Sequence, residues 1–279
     1  AIGNFRKAIE IDSNHFGSYL GLGWSLHEQG NDIEALEQFT NVLQFPNIAS
    51  DSIADAYAGL TSIYKHLGNY DLAIEFGKKA IELNPILTGY HARLGFLYRQ
   101  MGVFEAGNKN FTKAKEFFEL ANPYFIKATE IHPKLFTGWL GLGWNSYSLG
   151  NYQEALLYFT KALERNPRDA PAYEGLGRVY YNLKDYDKSI ENFRKAVSLS
   201  LMEGGDYDKY VTYESLGWVY LRQNNHQNAL EHFNKALEGH KTSKTTYLGL
   251  AYAHFKMNNL RDSEEMINKA KALYLADSW

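Results

Sequence analysis

Residues 136–169 read FTGWLGLGWNSYSLGNYQEALLYFTKALERNPRD, and residues 170–203 continue as APAYEGLGRVYYNLKDYDKSIENFRKAVSLSLME. Laid one over the other, the two stretches agree at a step of 34: Trp139, Leu142 and Gly143 recur as Tyr173, Leu176 and Gly177. Phe125, Phe159 and Phe193 keep the same step, as do Ala128, Ala162 and Ala196, and Pro133 with Pro167. Self-similarity at a fixed step marks stacked supersecondary units, each burying its apolar face on the next. Within one unit Trp139, Leu142, Gly143 and Ser146 fall at i, i+3, i+4 and i+7, and Ala155, Phe159 and Ala162 at i, i+4 and i+7, which predicts two amphipathic helices. Between them stands SLGNY, with Gly150 placed to end the first helix and Asn151 to start the second. Pro167 closes the second helix, because it cannot continue the hydrogen-bond ladder.

The order Trp/Tyr, Leu-Gly, Tyr, Ala, Phe/Tyr, Ala, Pro over 34 residues resembles the tetratricopeptide repeat, and the resemblance covers nearly the whole chain. It implies an all-α fold, a right-handed α-α superhelix or tetratricopeptide solenoid, running as one array over residues 1–279. A half repeat over 1–15, carrying Ala1, Phe5 and Ala8, comes first; full repeats start at Phe16, Ala54, Thr88, Phe136, Ala170, Tyr210 and Lys244. Gly77, His91, Ser146, Leu201, Lys241 and Leu275 depart from the pattern without shifting its register.

The step breaks three times. Leu22 to Leu60 is 38, Leu176 to Leu216 is 40, and Leu94 to Leu142 is 48. The first two predict lengthened connections, FPNIASDS and MEGGDYDK. The third inserts 14 residues, close to four helical turns, and predicts an extended second helix in the third repeat over about 103–131, bent or interrupted at Asn122-Pro123.

Composition bounds the function. Lys plus Arg total 29 against 32 Asp plus Glu, a formal charge of -3, so no global positive excess draws a phosphate backbone and nucleic acid is not an expected partner. No window carries the roughly 18 to 20 apolar residues of a membrane span, so membrane insertion is not expected. With no Cys the fold stands on packing alone, a composition compatible with an exported or a cytosolic protein.

No HExxH, Walker A, GxSxG or EF-hand pattern is present, so the chain reads as non-enzymatic, with no cofactor and no metal. GLGW at Gly21 and Gly141, GLGR at Gly175 and SLGW at Ser215 each sit inside a first helix, and none continues to GxGxxG. Ser62 to Lys65 matches SxxK, but no companion motif follows and Tyr64 is a core aromatic of its repeat. His226 and His232 lack the i, i+4 spacing of two ligands on one helix face.

In the family this chain resembles, first helices line the concave side and hold ligands there. Carried over by position, the non-core face of the first helices presents Trp24, Phe96, Trp144, Tyr147, Tyr181, Trp218, Tyr252 and Phe255, joined by Lys65, Arg93, Arg99, Arg178 and Arg222. Gly17, Gly21, Gly59, Gly89, Gly141, Gly175 and Gly249 are expected to leave hollows beside them, and the arginines to meet either internal carboxylates or an external anion. The expected partner is a protein or peptide with apolar or aromatic anchors and acidic residues. The same aromatics can equally pack sideways on the next first helix. The carboxylate clamp of chaperone-binding relatives does not fit: its places hold Leu20, Trp24, Gly59, Gly89 and Arg93, and Arg93 alone agrees. Two other readings remain, a self-assembling array with apolar ends that stack on further copies, and the accessory repeat region of a larger enzyme.

Overall fold

Each hairpin begins with the chemistry of its turn. In the computed structural model, which describes residues 1–203 and 208–276, seven helix-to-helix turns pass through one left-handed residue: Gly30, Gly68, Lys109, Gly150, Lys184, Asn224 and Asn258. The next residue is always Asn or Asp, and its N–H donates to the carbonyl five residues back, as from Asn151 to Ser146 at 2.8 Å and from Asp185 to Tyr180 at 2.9 Å. This closes the first helix and starts the second within two residues. Lys184 takes φ +64 at the place where Gly150 takes φ +79. Because a Cβ disfavours that conformation, Lys184→Gly is expected to raise stability by about 1 kcal/mol, read as a higher thermal midpoint.

The described residues form fifteen helices: α1 (Ile2–Ile11), α2 (Phe16–Glu28), α3 (Asp32–Val42), α4 (Ser50–His66), α5 (Tyr70–Leu83), α6 (Thr88–Gly107), α7 (Phe111–Ile131), α8 (Phe136–Ser148), α9 (Tyr152–Arg165), α10 (Ala170–Asn182), α11 (Tyr186–Glu203), α12 (Lys209–Arg222), α13 (His226–Gly239), α14 (Lys244–Lys256) and α15 (Leu260–Ala276). None is long and apolar enough to cross a membrane. Where the period reads as one array, the helices cluster into two compact units, Ala1–Gly141 and Leu142–Trp279. In the first, α2 pairs with α3, α4 with α5 and α6 with α7, and the first helices α2 and α4 also touch. In the second, α10 pairs with α11, α12 with α13 and α14 with α15, while α12 touches both α10 and α14. First helices of successive repeats therefore share a side at α2–α4 in the first unit and along α10, α12 and α14 in the second.

At four junctions a buried ring holds one repeat to the next. Phe39, Phe125, Phe159 and Phe233 are fully buried on second helices, and each meets one glycine of its own first helix and one of the following first helix. For Phe159 these are Gly143 and Gly175, where a Cβ would stand 2.6 Å and 2.3 Å from the ring. This corrects the expectation of hollows: Gly21 is filled by Phe5, Gly59 by Phe39, Gly141 by Phe125, Gly175 by Phe159 and Gly249 by Phe233. These five glycines admit a core ring, whereas Gly17 faces His15 and a Cβ at Gly89 would meet nothing within 4 Å.

The third hairpin corrects a second expectation. Its second helix starts at Phe111, so residues 103–107 belong to the first helix. The 14 extra residues divide evenly, giving α6 20 residues and α7 21, against 13 and 14 in α8 and α9. The cause is local: Gly102 stands where Gly30, Gly68 and Gly150 turn, but Val103 follows it in place of Asn. α6 instead continues until Lys109 takes the left-handed conformation and the Asn110 N–H closes the helix on the Glu105 carbonyl. α7 runs through Pro123 without interruption. In the connection FPNIASDS, residues from Ser50 onward are already α4. The connection MEGGDYDK lies partly, and the end of ALYLADSW wholly from residue 277, outside the described residues.

Candidate functional site

In the second unit, α8, α10 and α12 bring six of the expected side chains together. Trp144 stands edge-on to the buried Phe159, with centroids 5.2 Å apart, and Tyr147 stands edge-on to Trp144 at 6.0 Å. The Arg178 guanidinium lies 6.0 Å from the Trp144 ring centroid, and its Nε and Nη2 donate to Glu174 Oε1 at 2.8 and 2.7 Å. Trp218 stands edge-on to Phe233 at 5.3 Å. Between them opens a cavity of about 280 Å3 lined by Tyr147, Arg178, Tyr181, Asn182, Ser215 and Trp218, with Phe193 and Val219 at its floor. Arg222 Nε donates to Tyr181 Oη at 3.0 Å, and Asn182 Nδ2 donates to Tyr147 Oη at 3.3 Å, so the rim is joined across repeats.

The aromatics are half-buried, neither sealed nor free. One edge of the Trp218 indole packs on the core ring Phe233 and the other meets the cavity, while Trp144 packs on Phe159 beside it; both stand at the ninth position of their repeats, between the core stripe and the open face. The arginines also find internal partners. Arg178 is paired with Glu174 one turn earlier on its own helix, so its charge is already met by a carboxylate. Glu214, next to Ser215, would be raised by burial, but hydrogen bonds from Thr246, Thr245, Ser243 and the Trp218 indole hold its carboxyl below the usual range.

The first unit gathers a smaller set. Trp24 stands edge-on to Phe39 at 5.1 Å, and the Arg93 guanidinium lies 4.7 Å from the Trp24 centroid while its Nη1 donates to Ser62 Oγ at 2.8 Å. Burial and the nearby Arg93 charge both push the Lys65 ammonium down from its ordinary value. Burial likewise lowers Arg93, against the pull of Tyr90 and Asp55. Both side chains nonetheless remain exposed at the surface.

The remaining expected residues stand apart. Phe96 packs edge-on to Phe125 at 4.9 Å and serves the core, and Arg99 is half-buried on α6. Tyr252 is 46% exposed on α14 and lines a separate depression with Phe255, Leu248 and Ile267.

Sequence reading missed Asn182, Ser215 and Glu174 in the second unit. It also missed a set in the first unit: His27, Asp32 and His66, from α2, α3 and α4, whose metal-competent atoms all lie within 4.8 Å of one another. A signal was available for the last, since Asp32 occupies the place that holds Tyr70, Tyr152 and Tyr186 in other repeats.

Tetratricopeptide-repeat family models match residues 54–86, 136–169, 168–242 and 220–277. Over 129 residues, 46% of this chain and 74% of the relative, the sequence is 26% identical to photosystem I assembly protein Ycf3 of Prochlorococcus marinus (strain NATL2A). Among solved structures it is similar to the APC/C hetero-tetramer Cut9-Hcn1, with a TM-score of 0.75 and 18% identity over 98% of this chain and 49% of that one. This chain therefore spans about half the length of that protein. It is also similar to PilW, a widely conserved type IV pilus biogenesis factor, with a TM-score of 0.64, 18% identity, and coverage of 83% and 96%. At such identities the two structures establish the fold alone. The four family matches, the 34-residue register and the helix-pair packing of each unit agree, and this chain belongs to the tetratricopeptide-repeat family.

Proposed function

We propose that this chain is a non-catalytic scaffold that holds an extended or helical segment of another protein against its first-helix face. The observation that carries the reading is the second-unit cavity, where Trp218, Tyr147 and Tyr181 offer apolar faces beside Arg178 and Arg222. An aromatic or large aliphatic anchor fits such a lining, and desolvated Trp, Tyr and Arg side chains are the types that dominate interface energetics. In the first unit, Lys65 and Arg93 are exposed near one another, with the Arg93 guanidinium over the Trp24 ring, so an acidic side chain of the partner would meet two cations there. A relative whose name is that of an assembly protein points to the same role for this chain.

Peptide display on the immobilised chain tests the reading. Selected peptides are expected to combine an aromatic or aliphatic anchor with acidic residues. Trp218→Ala together with Arg178→Ala is expected to weaken their binding by at least about 30-fold, the loss of one hot spot, while the helical circular dichroism persists. Unchanged affinity in that folded variant removes the proposal.

A further inference from the structure

We propose that His27, Asp32 and His66 form a binding site for a divalent transition-metal ion of the zinc class, joining the first full repeat to the second. His27 lies in the last turn of α2, Asp32 opens α3, and His66 ends α4, so the fold delivers one donor from each of three helices. Both imidazoles present Nδ1 to the same carboxylate: His27 to Oδ1 at 2.5 Å, and His66 to Oδ2. Two imidazole nitrogens and a carboxylate oxygen suit zinc and its borderline neighbours, whereas calcium and magnesium require more oxygen donors. Three protein ligands leave a fourth tetrahedral position for water. The His66 side chain is 63% exposed and that of His27 22%, while that of Asp32 is 8% exposed, so the carboxylate is fixed within the fold and the imidazoles give a route from solvent.

The neighbouring junctions show that packing alone does not demand this donor set. At the same places, Tyr70 Oη meets Gln100 Nε2 at 3.5 Å between the second and third repeats. Tyr152 Oη meets Asn182 Oδ1 at 3.2 Å between the fourth and fifth. A tyrosine paired with an amide therefore satisfies this junction elsewhere in the chain. The first junction alone among these replaces it with a carboxylate and adds two imidazoles. Those residue types are suited to an ion, and an ion there ties α2, α3 and α4 together at their turn ends.

The test uses the whole chain, free of any affinity tag and stripped with a chelator. Calorimetric titration with zinc chloride is expected to show one tight equivalent, and zinc is expected to raise the thermal midpoint, since an ion held by the folded state stabilises it. His66→Ala, at an exposed position, is expected to lose both the equivalent and the thermal shift. The double variant Asp32→Tyr with His66→Gln installs the tyrosine and amide of the next junction. It is expected to fold with an unchanged helical spectrum and to take up no zinc. Absence of a stoichiometric equivalent in the unaltered chain overturns the proposal, and so does an equivalent that survives in either variant, which places it on other histidines.

Discussion

Phe159→Ala is expected to cost the second unit about 3–5 kcal/mol, the range for truncating a fully buried aromatic ring. Phe159 has no exposed surface, and its ring lies between Gly143 of its own repeat and Gly175 of the next. Neither glycine has a side chain that can move into the space, so the cavity left by truncation stays open and both the ring's burial and its cross-repeat contact are lost. Because stability in a stacked array is a sum of repeat terms and interface terms, the loss falls on the interface that couples α8 and α9 to α10. Urea unfolding followed by circular dichroism measures it. Phe255→Ala gives the contrast: that ring is 56% exposed on α14, and its removal is expected to change stability by less than about 0.5 kcal/mol.

Gly175→Leu is expected to be of similar severity, about 3 kcal/mol, through the opposite physical cause. A Cβ at residue 175 would stand 2.3, 2.5 and 2.6 Å from three atoms of the Phe159 ring, well inside van der Waals contact. On the far side Gly143 already approaches so closely that a Cβ there would be 2.6 Å from the same ring, so the ring has nowhere to retreat. The helix propensity gained on replacing glycine, about 1 kcal/mol, offsets only part of the overlap. Combining Gly175→Leu with Phe159→Ala is expected to recover stability relative to the sum of the single changes, since the new side chain enters the space the ring vacates. Strict additivity in that double variant would show that Gly175 and Phe159 do not share one space. Gly89 supplies the control. A Cβ there meets nothing within 4 Å, and Gly89→Ala is expected to leave stability unchanged or raise it by less than about 1 kcal/mol.

The same two residues show how far the sequence could be read. Phe159 was legible as core, because Phe125, Phe159 and Phe193 recur at one step with helical spacing around them. Gly175 was visible as a recurrent small residue, yet its purpose was misread as a hollow for a ligand. Periodicity places a residue on a helix face, but it does not say which ring from a preceding repeat reaches that face. The third hairpin teaches the same lesson at shorter range. Gly102 stands where other repeats turn, but Val103 follows it in place of Asn, and the hairpin turns at Lys109-Asn110 instead. That displacement was readable in principle from the absent Asn.

The candidate site was legible in part. Trp144, Tyr147, Arg178, Tyr181, Trp218 and Arg222 were all placed on one face by helical spacing, and the structure brings them together. The pairing of Arg178 with Glu174 is an i, i+4 contact that the helix register already contained. The meeting of His27, Asp32 and His66 was not accessible in that way. His66 and Asp32 are 34 residues apart, and neither belongs to a spaced ligand motif.

By itself the sequence determined the helix pairs and their register, with the turn of the third pair misplaced and only the Gly150-Asn151 turn named. Those properties depend on residues within a few places of one another, and seven copies of the pattern reinforce each reading. Only the tertiary structure decided that Phe rings fill most of the glycine seats, that Trp218 divides itself between core and cavity, and that two imidazoles converge on one carboxylate. These are contacts between different helices, from 5 residues apart for His27 with Asp32 to 34 for His66 with Asp32, and they are fixed by how the helices nest, which the spacing along any one helix does not encode.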